Sequence, residues 1–192
     1  MLAETKVLHA AKGHLKRLTS NKDGVRLVGR QLAKCTHSNP LVVYNHVLSQ
    51  MEVYDNMIPF VVDALKYSTD LSKDCMAYCL LSQLHRDSAK LKDGDTHYTQ
   101  WFSSLSKFAA SFYKRYPSTE LKGLLHFLLQ RLSKGESLDL LVLKELLIRM
   151  GGCDTVLEVP LLRKDISSRF ISTITFGVQL KLLKKYFITT FK

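Results

Sequence analysis

No stretch of this sequence approaches the roughly 18 uninterrupted apolar residues that a membrane-spanning helix needs. The first turn carries Glu4 and Lys6 instead of the basic start and apolar run of a secretory leader, so a soluble intracellular protein is expected. Paired CxxC spacings are missing too. Cys35 and Cys153 stand alone, and Cys75 and Cys79 lie inside an apolar run, a pattern of reduced, mostly buried thiols rather than of a metal or redox site. There is no GxxxxGKS/T loop to cradle phosphate, no GxGxxG after a strand, no HExxH and no GxSxG. His9 and His14, five residues apart on one expected helix, fall on different faces and do not pair as ligands. Catalytic residues, a metal site and a cofactor are all expected to be absent.

What is present is a chain of 192 residues, 46% apolar and 23% charged, long enough to bury a real core. The net charge is +11, and its distribution matters more than its size. Residues 1–34 hold eight Lys/Arg against Glu4 and Asp23. Residues 160–192 hold seven against Asp165, and the body between is close to neutral. The positive charge therefore acts at the two ends.

Apolar positions recur at helical spacing through the first 150 residues, with start and stop signals between them. A first helix over about 3–19 places Leu8, Ala11, Leu15 and Leu18 on one side, and a second basic helix follows over about 24–35. Ser38 or Asn39 can cap a third helix, with Pro40 at its first position and Leu41, Tyr44, Leu48 and Met51 on one face. Tyr54-Asp55-Asn56 breaks it, and Ile58, Val61, Val62 and Leu65 stripe the fourth. Ser72 is the expected cap of a fifth, with Cys75, Met76, Cys79, Leu80 and Leu84 inward. A polar loop over 87–95 leads to a sixth helix, about 97–114, lined by Trp101, Leu105, Phe108 and Phe112. Pro117 ends it, and Ser118 with Glu120 starts a seventh, whose stripe is Leu121, Leu124, Leu125, Leu128 and Leu132. The eighth, Ser137 to about Met150, is apolar nearly all round and is expected to be buried between neighbours.

Eight helices on short links predict an all-α fold of stacked antiparallel helix hairpins, a solenoid-like array without a fixed sequence repeat. Trp101, Phe108, Leu125 and Leu143 are expected core positions, and the aromatics at helical spacing read as core rather than base-stacking platforms. The domain boundary falls near residue 154. Residues 155–192 form a basic tail with two readings, a strand-like alternation from Phe170 to Leu182 and a basic amphipathic helix over 178–191. Gly177 and Gln179 interrupt the face that membrane-surface binding would need. The amino-terminal cations Lys12, Lys16, Arg17, Lys22, Arg26, Arg30 and Lys34 have three readings: a solvated helix face, nonspecific phosphate contacts, or a face for an acidic partner chain.

Between Lys34 and Cys79 the residues themselves become recognisable: KCTHSNP, YNHVLSQ, YDNMIPFVVDALKY and AYC, in that order. Upstream stand AAKGHLKRL at 10–18 and GRQLAK at 29–34; downstream stand WFSSLSKFAASFYKRYP at 101–117, GLLHFLLQRL at 123–132 and SLDLLVLKELLIRMGG at 137–152. These blocks resemble the THO complex subunit 2 family over about residues 10–154. Members are several times longer, so the resemblance is to an internal stretch, as expected of a fragment, a truncated gene model or a short isoform. After MGG the family's continuation is not recognisable, and nothing is carried onto residues 155–192. The resemblance implies a nuclear, non-enzymatic scaffold in the assembly that couples transcription to mRNA export. Its implied partners are other THO subunits and a DEAD-box RNA helicase, with RNA contact direct or indirect, and with no membrane or small-molecule substrate.

Overall fold

A computed structural model of the chain describes residues 2–18, 21–86, 88–92 and 97–151. The chain falls into two compact units, Met1–Met150 and Gly151–Lys192. The basic tail lies outside the described residues, and so does Cys153. The described helices are α1 (Leu2–Lys16), α2 (Lys22–Ser38), α3 (Pro40–Val53), α4 (Ile58–Ala64), α5 (Asp70–Leu84), α6 (Gln100–Arg115), α7 (Lys122–Ser133) and α8 (Leu140–Gly151). Short 3-10 turns, Asp55–Met57 and Leu65–Tyr67, flank α4. Among the described residues the one β feature is an isolated bridge between Leu91 and Tyr98.

The described residues form an all-α helical array. Helices α1, α3 and α5 pack in one row and α2, α4 and α6 in another, with α3 crossing onto α6 between the rows. Packing onto the element two places along is how successive hairpins stack while each leaves its other side open. Helix α6 is the spine of the core. Its Phe102, Leu105, Phe108, Ala109 and Phe112 are buried against Tyr44, Leu48 and Met51 of α3, Val61 of α4, and Met76 and Leu80 of α5 within one apolar cluster.

Local chemistry sets the helix ends. Asn21 caps α2, its side chain accepting from the Asp23 N–H. Helix α3 starts with Pro40 in its first turn, where its missing N–H costs nothing. Neither Ser38 nor Asn39 supplies the expected side-chain cap there, because α2 runs on through Ser38. Thr69, not Ser72, caps α5, accepting from the Ser72 N–H. Ser72 is buried instead, and its hydroxyl bonds the phenol of Tyr44, which also donates to Ser68. A buried phenol needs such partners.

The later elements depart most from expectation. Helix α7 starts at Lys122, beyond Ser118 and Glu120. Leu124 and Leu128 are its buried leucines, while Leu125 is half-buried and Leu132 is exposed. Helix α8 is not buried all round among the described residues: Val142 and Leu146 are buried, but Leu140 and Leu147 are exposed. Trp101 and Leu143 are half-buried at the edge of the core, and Leu41 points outward from α3. In each case helical spacing identified an apolar face but not whether a neighbour covers all of it.

Candidate interaction surface

Helix α2 joins the core through Val25, Val28, Gly29, Leu32 and Thr36. Lys22, Arg26, Arg30 and Lys34 recur at every fourth position on another side of it, and all four are exposed. Each step advances about 6 Å along the axis and turns only about 40°, so the four cations form a continuous ridge. Lys12, Lys16 and Arg17 are exposed at the end of the neighbouring α1. Among the described residues none of these seven forms an ion pair.

One contact explains how the ridge is held. A Cβ on Gly29 would lie 2.6 Å from Tyr67 Cδ2 and 2.7 Å from the Ala64 carbonyl oxygen, so only glycine lets the end of α4 and the following turn approach α2 so closely. That approach brings the Tyr67 ring beneath the Arg30 guanidinium, 5.7 Å from ring centroid to Cζ, a cation–π distance. Lys66, next to Tyr67, is exposed as well. Further along, burial lowers the proton affinity of His46 on α3, and the Lys12 ammonium lowers it further.

Among the described cysteines Cys79 is buried, and Cys35 and Cys75 are half-buried. Burial, followed by the neighbouring Cys75, raises Cys79 to about 11, and burial also raises Cys35; such thiols are poor nucleophiles. Tyr116 is pushed up to about 12, mainly by burial, and its hydroxyl donates to the Val62 carbonyl. Among the described residues no three His, Cys, Asp or Glu side chains converge to hold a metal ion. No described helix is long and apolar enough to cross a membrane.

A buried ionic cluster between the loop before α6, the end of α7 and the start of α8 carries no local signal in the sequence. Lys90 Nζ donates to both Asp139 oxygens at 2.7 and 2.8 Å, and Arg131 Nε donates to Oδ2 at 3.2 Å. The Asp139 side chain is 0% exposed and that of Lys90 7%. Trp101 Nε1 and the Thr99 hydroxyl both donate to the Ala89 carbonyl, which fixes the loop carrying Lys90. Only the tertiary fold brings together charges 49 positions apart.

A family model described as a transcription- and export-related complex subunit matches residues 32–106. The THO complex subunit 2 of Homo sapiens is 36% identical over 185 residues, 96% of this chain and 11% of that protein. That of Arabidopsis thaliana is 39% identical over 72% of the chain and 8% of its own length. That of Saccharomyces cerevisiae is 30% identical over 78% and 9%. The chain thus spans about a tenth of the length of the curated relatives it matches. Because the human match takes in 96% of the chain, it runs well into residues 155–192, correcting the expectation that the likeness stops after MGG. With fungal, plant and animal relatives along most of its length, this helical chain belongs to the THO complex subunit 2 family, as the counterpart of one stretch of that longer protein.

Proposed function

We propose that the chain is a non-enzymatic scaffold segment of the THO part of the transcription-export assembly, acting in the nucleus through protein–protein contacts to support mRNA processing and export. The observation that carries this reading is the match to THO complex subunit 2 along 96% of the chain. The two-row array supports it physically, since stacked hairpins present broad helical faces to partners without an enclosed site. The partners are other THO subunits and, through them, a DEAD-box RNA helicase; the role needs no cofactor or small-molecule substrate. Within the chain, residues 1–154 are the helical scaffold and residues 155–192 a basic tail into which the family likeness continues.

A second reading, direct nonspecific binding of RNA or DNA, is favoured by the exposed cations of α1 and α2. It predicts affinity that falls steeply with salt. Affinity purification of the tagged full chain from nuclear extract, with and without nuclease, separates the two. Recovery of THO subunits or the helicase despite nuclease is the expected result. Recovery only while RNA is intact would contradict the scaffold reading.

A further inference from the structure

We propose that the α2 ridge is a docking site for an acidic, amphipathic segment of a partner protein, which lays carboxylates along Lys22, Arg26, Arg30 and Lys34 and an apolar side chain onto Leu27. This rests on the scaffold reading and names the chemistry of one of its contacts.

Three observations carry it. The cations are exposed and without ion pairs among the described residues, so their charge is available to a partner of opposite sign. Their spacing of about 6 Å along the axis matches carboxylates that recur once per turn on a second helix. Leu27 is 59% exposed, and it stands three residues before Arg30 and seven before Lys34, on the flank of the same ridge. A solvent-exposed leucine within a row of cations gains from an apolar cover and gains nothing from a phosphate chain.

The surroundings favour protein over nucleic acid. Single-stranded RNA sites combine a cationic track with aromatic faces on which bases stack. The aromatic beneath this ridge, Tyr67, is half-buried, close against Gly29 and under the Arg30 guanidinium, so its ring serves to orient Arg30. An oriented guanidinium suits bidentate pairing with a carboxylate. Lys66 extends the positive field beside it.

The test uses the full 192-residue chain and two labelled probes, read by fluorescence anisotropy. One is a helical peptide with glutamate at every fourth position and a leucine on the same face; the other is a poly(U) oligonucleotide carrying the same net charge. The peptide is expected to bind at least about tenfold more tightly than poly(U), and Arg26→Glu with Arg30→Glu to weaken it about tenfold. Leu27→Ser, which leaves every charge in place, is expected to weaken the peptide by about threefold and leave poly(U) unchanged. Thermal melting of each variant confirms that these exposed substitutions leave the fold intact. Equal or tighter poly(U) binding overturns the proposal in favour of a nucleic-acid track, and so does peptide binding indifferent to Leu27→Ser or to the charge reversal. Failure here with THO subunits still recovered from extract would remove this site alone; peptide binding without recovery would remove the scaffold reading alone.

Discussion

Gly13 and Gly29 sit inside neighbouring helices, yet adding one methyl group to each should have opposite effects. Nothing lies within 4 Å of a Cβ built on Gly13, so Gly13→Ala should raise stability by about 0.5–1 kcal/mol through helix propensity alone. At Gly29 the same gain is outweighed by overlap with backbone at Ala64 and the Tyr67 ring. Gly29→Ala should therefore lower stability by about 1–3 kcal/mol, with urea denaturation midpoints reporting both signs. His46 gives a pH-dependent prediction. Burial first and Lys12 second hold its pKa below 6.5 in the folded chain. The unfolded state therefore binds the proton more tightly, so the His46 contribution is complete above pH 6.5 and declines as pH falls below it. His46→Gln should flatten that acid-side decline. Lys12→Gln should move the His46 titration, followed by NMR, upward toward 6.5 without abolishing the shift, since burial remains.

Among elements, α7 and α8 show what a stripe of leucines conveys and where it stops. Spacing placed Leu124, Leu125 and Leu128 on one side of a helix, but the rotation of α7 about its own axis buries Leu124 and Leu128 and leaves Leu125 half-buried. Leu124→Ala should cost about 2–4 kcal/mol, with Leu125→Ala costing clearly less; equal losses in thermal melts would contradict this orientation. The Lys90–Asp139 pair ties the loop before α6 to the start of α8. Lys90→Met alone leaves the Asp139 carboxylate buried with Arg131 as its remaining partner, and should cost about 3–5 kcal/mol. Adding Asp139→Leu should recover most of that loss, which a double-mutant cycle measures. The helices were legible because their stripes and breakers, such as Pro40, Tyr54 and Pro117, are local signals. The ionic cluster was not, because neither Lys90 nor Asp139 carries a mark of its distant partner. Capping fell between these cases: the Thr69 hydroxyl won over Ser72 because Tyr44 engages Ser72 from another helix.

For the whole molecule, the two-row array and the position of its cations connect sequence to proposed role. The uneven charge distribution was visible in the sequence, as were Arg26, Arg30 and Lys34 on one expected helix; Lys22 joins their ridge because α2 starts earlier than expected, at Lys22. Its support by Gly29 and Tyr67 was not visible, since it depends on how closely α2 meets the end of α4. Family likeness was evident in the ordered blocks from residue 10 to 152, whereas its extension into the tail shows only in the match to 96% of the chain. The most direct test of the scaffold role combines the purified full chain with purified, nuclease-treated THO subunits other than subunit 2 and follows the mixture by size-exclusion chromatography. The account predicts that the chain co-elutes with at least one of those subunits, and does so without RNA. Separate elution of the chain, with a shift only when RNA is added, would contradict it.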